Sequence, residues 1–343
     1  LEQVLEYQYS EGNTKDNRLT EEGISPKEWA DAVIRNMIEA GLPLTKYNIA
    51  FIARSIEAES NFRIAPKKDL DAIFQRKIEE LKKNKENQEA FVYEQFYDNN
   101  KNEISKITTE KEFDEFIDNH IFSLFLNKFR PQTIGSMQLN IDKAIEIAEK
   151  SEDSYTEDYT EKEMRAVLYT LNGGIFYGTL YSKEILEIYF DDLNTEYDSD
   201  ILQFAFADYH TGLFSSRNAA LQKQLNKLMG TSLDLDGDIG PKTLEVIEAF
   251  VDEEHVSRNL DKDAVFDEDI ILEASSSKEI EELEVYDLIK ERYMGRYGKP
   301  EYAIVPDVAT DSYQWTISTT AETYAGKSQE RYDLYCSNNW LDC

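Results

Sequence analysis

Apolar residues recur every three or four positions over most of the chain, the spacing of one buried helix face. Ser25-Pro26-Lys27-Glu28 predicts a helix start, with Ser25 as N-cap, Pro26 in the first turn and Glu28 at the capping-box position. Trp29, Ala32, Val33 and Met37 mark the inner face of that helix up to a stop at Gly41. After Leu42-Pro43-Leu44-Thr45 a second helix carries Ile49, Ile52, Ala53 and Ile56. From about Asp69 to Asn119 Lys, Glu, Asn and Phe dominate, while Ile73, Ile78 and Leu81 keep helical spacing. This stretch reads as an insertion of amphipathic helices, bounded at residues 67–130, in which Lys82 to Asn87 is a solvated face.

Further on, Ile141 to Lys150 predicts a helix and Ser151 to Glu163 an acidic, Tyr-bearing loop. Met164 to Leu186 reads as helical around the small residues Asn172-Gly173-Gly174, and Phe204 to Met229 as two helices meeting near His210-Thr211-Gly212. From Val251 to Glu284 the chain is strongly acidic, with a break at Ser275-Ser276-Ser277. Alternation at Tyr302 and Ile304, and again at Tyr313, Trp315 and Ile317, predicts one or two strands. A last helix carries Tyr324, Tyr332 and Tyr335, and no internal repeat is visible. The fold class is mainly α with a small α+β C-terminal extension: residues 1–260 form the main domain and 261–343 an extension packed on it.

Composition narrows the function. With 37 basic and 69 acidic residues the formal net charge is −32, which argues against a nucleic-acid partner and against basic attachment to anionic lipid. The 21 Tyr and 17 Phe supply a core that a disordered chain would lack. No run of 18 apolar residues exists, so no membrane span is expected. Leu1 opens the sequence without an initiator Met or a signal peptide, as expected after processing or trimming. The two cysteines, Cys336 and Cys343, could close a short disulfide or stay as thiols. His120, His210 and His255 are scattered without a zinc-ligand spacing, so neither metal nor cofactor is expected.

At 100° per residue, Glu59 falls at the end of the apolar stripe of the second helix, three residues after Ile56 and seven after Ile52, whereas Glu57 points to the polar side. A carboxyl in that position loses solvation, the condition that suits a general acid near neutral pH; the other reading of the same periodicity is a Glu at a frayed helix end that points to water. Other strings follow it: Glu59-Ser60-Asn61-Phe62, then Gly135-Ser136-Met137-Gln138, then Gly174-Ile175 with Gly178 and Tyr181, then Tyr209-His210-Thr211-Gly212. In this order they resemble the motifs of lysozyme-like lytic transglycosylases: Glu-Ser with a nearby Phe, Gly-x-Met-Gln, Asn-Ile-x-x-Gly-x-x-Tyr and Ala-Tyr-Asn-x-Gly.

That resemblance implies a lysozyme-like domain with an inserted helical lobe and peptidoglycan glycan strands as partner. Glu59 would be the single acid/base. It would protonate the glycosidic oxygen between N-acetylmuramic acid and N-acetylglucosamine, then take the proton of the sugar's C6 hydroxyl, leaving a 1,6-anhydro sugar. Retaining glycosidases need a second carboxylate about 5–5.5 Å away; the family dispenses with it because the substrate's N-acetyl group can serve. Tyr209 would hydrogen-bond and orient Glu59. Ser60, Gly135, Met137, Gln138, Tyr181 and His210 would form the substrate-binding set. Four departures stand out: His210 replaces the family's Asn, Thr211 its small residue, Gly174 replaces the Asn of Asn-Ile, and the stretch between Glu59 and Gly135 is long.

A second resemblance covers nearly the whole chain. Gly173 to Gly178, Phe206 to Gly212, Ser216 to Ala220, Leu235-Asp236-Gly237-Asp238 and the stretch from Trp315 to Cys336 resemble the bacterial domain-of-unknown-function 1615 family. It implies a periplasmic envelope protein, often a lipoprotein, whose lipid-bearing Cys would lie upstream of Leu1. A non-catalytic peptidoglycan-binding or scaffold protein on the same fold is the alternative to an enzyme. Finally, Asp236-Gly237 with Gly240 and Thr243 is similar to a signature of small peptidoglycan-binding modules. Asp234, Asp236 and Asp238 superficially resemble a calcium loop, but Ile239 stands where such a loop needs Gly, and a Gly-Pro turn launching a helix from Lys242 is the expectation.

Overall fold

A computed structural model of the chain describes residues 1–2, 5, 23–66, 70–83, 85–119, 130–150, 159–213, 215–258, 316–317, 319 and 321–337. The boundary expected at 260/261, the strands expected beyond Pro300, most of both acidic tracts, His120 and Cys343 lie outside these residues. Among the described residues the protein is mainly helical, and no helix is long and apolar enough to cross a membrane. The chain divides into two compact units, Leu1–Tyr181 and Ser182–Asn338.

The first unit opens with α1 (Pro26–Glu39) and α2 (Lys46–Ser60). The Glu28 N–H donates to Ser25 Oγ at 3.2 Å and the Ser25 N–H donates to Glu28 Oε2 at 2.7 Å, closing the predicted capping box. Trp29, Ala32, Val33 and Met37 are buried on α1, as are Ile49, Ile52, Ala53 and Ile56 on α2. The inserted lobe consists of α3 (Leu70–Lys83), α4 (Asn87–Ile104) and α5 (Glu110–Asn119). It has its own core around Phe74, whose ring lies 6.1 Å from both Phe96 and Phe113.

A two-stranded antiparallel ribbon follows, β1 (Thr133–Ile134) with β2 (Leu139–Asn140), in which Thr133 faces Asn140 and Ile134 faces Leu139. Next come α6 (Ile141–Lys150), α7 (Glu161–Leu168) and α8 (Leu171–Tyr189), which runs from the first unit into the second. Here the sequence reading needs two corrections. The helix expected from Met164 begins at Glu161, because Thr160 and Glu163 form a second capping box. It also does not continue to Leu186: Thr170 interrupts it, its hydroxyl donating to Val167 O at 2.7 Å and accepting the Gly173 N–H at 3.0 Å, so that one helix ends and α8 starts afresh.

The second unit contains α9 (Ser199–Thr211), α10 (Ser215–Met229), α11 (Pro241–Arg258) and α12 (Glu322–Ser337). The junction expected at His210–Gly212 is found, and the helix before it starts at Ser199 rather than Phe204. The expected last helix is α12. It packs on α9 through buried Ala325, Tyr332 and Tyr335, with the rings of Phe206 and Tyr332 edge to face at 6.2 Å. Leu221, Leu225, Ile247 and Phe250 join α10 to α11.

Candidate functional site

Glu59 is half-buried at the C-terminal end of α2. Glu57, on the other side of the helix, pairs with Arg54 at 3.2 Å. The helix ends abruptly after Ser60: Asn61 takes the left-handed conformation (φ 53°, ψ 43°) and its N–H donates to Glu57 O at 3.0 Å. Asn is the residue that most readily replaces Gly in such a cap. Phe62 also has positive φ, 58°, which a bulky side chain adopts only under constraint. Its buried ring meets Trp29 edge to face at 5.5 Å, and that packing holds the turn. Ser60 is buried, its hydroxyl donating to Ile56 O at 3.0 Å and accepting the Arg63 N–H at 3.2 Å. The local geometry thus engages Ser60 in closing the helix end.

The Gly135–Gln138 string forms the loop of the β1–β2 ribbon, with Gly135 at φ 80° and Gln138 at φ 47°. A Cβ on Gly135 would stand 2.5 Å from Leu168 O, so both the backbone angle and the space demand glycine. The loop is seated on the N-terminal half of α8. A Cβ on Gly174 would lie 2.8 Å from Ser136 Oγ, and one on Gly178 would lie 2.6 Å from Met137 Cβ. The two strings therefore interlock, and the Gly174 that replaces the family's Asn is the residue that leaves room for Ser136. Met137 and Tyr181 are buried, and the Lys143 ammonium lies 5.8 Å above the Tyr181 ring.

Beneath the loop lies a buried polar cluster that the sequence reading missed. Glu110, fully buried, accepts the Gly135 N–H at 2.9 Å and the Gln138 side-chain amide at 3.1 and 3.2 Å. One turn on, Asp114 accepts from Arg165 at 3.1 Å and from the Tyr169 hydroxyl at 2.9 Å, with Arg130 at 3.6 Å. Burial raises the Asp114 pKa against the pull of Arg165, and burial beside Asp114 and Glu110 raises that of Tyr169. Arg165 also donates to Pro131 O at 2.9 Å, tying α7 to the strand entry. The signal was present: Glu110, Phe113, Asp114 and Ile117 share one buried face of α5 at i, i+3, i+4 and i+7, so two carboxyls sit on an apolar stripe.

Tyr209 and His210 belong to the second unit, at the end of α9. Tyr209 is buried, while His210 is exposed and its ring stacks on Tyr324 of α12 at 4.1 Å and 9°. The preceding residue, Asp208, is fully buried and organises this region. It accepts the Tyr189 hydroxyl at 2.8 Å, the Ser215 hydroxyl at 2.9 Å and the Ser216 N–H at 2.7 Å, so it caps α10. Burial raises its pKa, and with Asp208 nearby burial pushes that of Tyr189 up as well.

The Asp236-Gly237 string is strung along α10. Gln222 donates to Asp236 Oδ1 at 2.7 Å and to Asp238 O at 2.9 Å, and it accepts the Gly237 N–H at 2.9 Å. Gly237 has φ 76°, and a Cβ there would stand 2.6 Å from Ser215 O. Asp236 is thereby turned to Gln222, whereas Asp234 and Asp238 are exposed. The expected turn launches α11 at Pro241. Among the described residues no three His, Cys, Asp or Glu side chains could together hold a metal ion.

The sequence profile of a family described as "Protein of unknown function (DUF1615)" matches residues 23–338. The chain is similar to "Uncharacterized protein YaiW" of Escherichia coli (strain K12), at 28% identity over 145 residues. That alignment covers 40% of this chain and spans about a third, 35%, of the relative's length. No solved structure matches.

Proposed function

The chain belongs to the DUF1615 family of proteins of unknown function, and from that premise we propose that it is a peptidoglycan lytic transglycosylase, or a muramidase of the same lysozyme-like fold. The observation that carries the reading is the interlock of Gly135–Gln138 with Gly174 and Gly178, two strings that resemble successive transglycosylase motifs and pack as one body. The half-buried Glu59 at the end of α2, followed by a constrained turn, supports it further.

In this proposal the Glu59 carboxyl donates its proton to the glycosidic oxygen as the bond between N-acetylmuramic acid and N-acetylglucosamine breaks. The resulting carboxylate then takes the proton of the C6 hydroxyl, whose oxygen closes on the anomeric carbon. The acid is regenerated and no water is consumed. In the muramidase form, water replaces the C6 hydroxyl as the group that is deprotonated. Gln138, half-buried in the Gly135–Gln138 loop, is the proposed glycan contact of the first unit, the buried Ser60, Met137 and Tyr181 support it from behind, and Tyr209 and His210 of the second unit have only the roles that the resemblance implies. The cell envelope, with a lipid anchor upstream of Leu1, is the proposed location.

The test is to incubate the purified protein with isolated sacculi and analyse the soluble products by mass spectrometry. Anhydromuropeptides indicate transglycosylation, and reducing muropeptides indicate hydrolysis. Sacculus binding without any soluble product would replace the enzyme with a murein-binding scaffold.

A further inference from the structure

Glu110 is a carboxyl buried within the inserted lobe, yet its hydrogen bonds leave the lobe for the loop that carries Met137 and Gln138. Its placement is fixed from below, because Phe113 and Ile117 on the same face of α5 belong to the lobe's core. It stands in the first turn of α5, where the helix end favours negative charge. A carboxylate only accepts, so it selects the NH2 end of the Gln138 amide, and Gly135 O takes the same group at 3.1 Å. With its nitrogen held on three acceptor atoms, the amide has one orientation, and its carbonyl oxygen faces away from Glu110. Gln138 is thereby held at positive φ with a fixed side chain, and the Gly135 N–H on Glu110 fixes the other end of the loop.

We infer that Glu110 is a positioning residue: through the Gly135 N–H and the Gln138 amide it sets the Gly135–Gln138 loop, and so the face that Gln138 turns to the glycan. The inference rests on the glycosidase reading for the identity of the ligand, not for the clamp itself. It gives the inserted lobe a task, that of carrying the acceptor that orders a loop distant in sequence.

A double-mutant cycle on the full chain tests it, at a temperature where circular dichroism shows every variant folded. Glu110→Gln should lower kcat/KM for sacculus cleavage roughly tenfold, yet change it less than about twofold in a Gln138→Ala background, because its effect acts through that side chain. Equal losses in both backgrounds, or none in either, would overturn the inference. If Glu110→Gln does not fold, combining it with Gln138→Glu restores a donor–acceptor pair of reversed polarity. That combination should fold and remain impaired, and full activity would show that the pair merely supports the fold. Should the wild-type protein cleave nothing, the glycosidase reading fails while the clamp remains testable by amide hydrogen exchange. Exchange at Gly135 should accelerate in Glu110→Ala, which has no acceptor, and unchanged protection would refute the clamp.

Discussion

Met137 fills the space that a side chain on Gly178 would need, since a Cβ there would stand 2.6 Å from Met137 Cβ. Helix α8 has glycine at Gly174 and Gly178, one turn apart, and the ribbon loop lies in the resulting groove. Gly178→Ala is therefore expected to destabilise the protein, by about 1–3 kcal/mol for overpacking of a tight core. Urea denaturation measures it. A neutral Gly178→Ala would mean that the loop can lift away without cost.

Asp208 contributes to the pH dependence of the second unit. Burial raises its pKa above the ordinary 3.8, so the folded state keeps a proton that the unfolded chain has given up. Stability from this group is intact below the ordinary value and is lost as pH rises through the folded one. Asp208→Asn removes that titration. The melting temperature of the variant relative to wild type should rise from pH 4 upward and then level off. A difference independent of pH would show that Asp208 ionises as it does in water.

The stack of His210 on Tyr324 makes an asymmetric prediction. His210→Asn puts back the residue of the transglycosylase motif and loses the ring, so cleavage should persist while stability falls by about 0.5–1.5 kcal/mol. Tyr209→Phe should do the reverse, lowering activity roughly 10²-fold or less with little change in melting temperature. Kinetics and thermal denaturation of both variants decide. An inactive His210→Asn protein would give His210 a chemical role of its own.

Much of this architecture is legible in the sequence, and the parts that are not have physical reasons. The Ser25–Glu28 box, the α2 stripe and the His210–Gly212 junction are local signals, and each is found where expected. The start of α7 was equally readable, since Thr160 and Glu163 form the same box in an acidic tract that reads as loop. The Thr170 break is different, because hydrophobic periodicity runs straight across it and only hydroxyl bonds to Val167 O and the Gly173 N–H reveal it. Glu110 and Asp114 were hidden by composition. In a Lys/Glu-rich insertion a carboxyl reads as solvated, and its burial depends on Arg165, Tyr169 and the Gly135–Gln138 loop, partners remote in sequence. Asp208 lay within a quoted motif, but its capping of α10 needs the chain reversal at Gly212.

A net charge of −32 makes the folded chain repel itself, and salt screens that repulsion over a Debye length of about 10 Å at 0.1 M and 3 Å at 1 M. The melting temperature should rise with NaCl. Adding chelator at constant ionic strength should leave it unchanged. A flat salt dependence would contradict the screening argument, and a drop with chelator would point to a bound divalent ion instead.

The central claim, a single acid at the end of α2, is tested most directly by comparing two neighbouring carboxyls. Glu59→Gln keeps the shape of the side chain and loses its proton, whereas Glu57 is paired with Arg54 on the other side of the helix. Release of anhydromuropeptides from sacculi, followed by mass spectrometry, should disappear in Glu59→Gln with sacculus binding retained, and should persist in Glu57→Gln. Wild-type levels of release from Glu59→Gln, or loss confined to Glu57→Gln, would contradict the account.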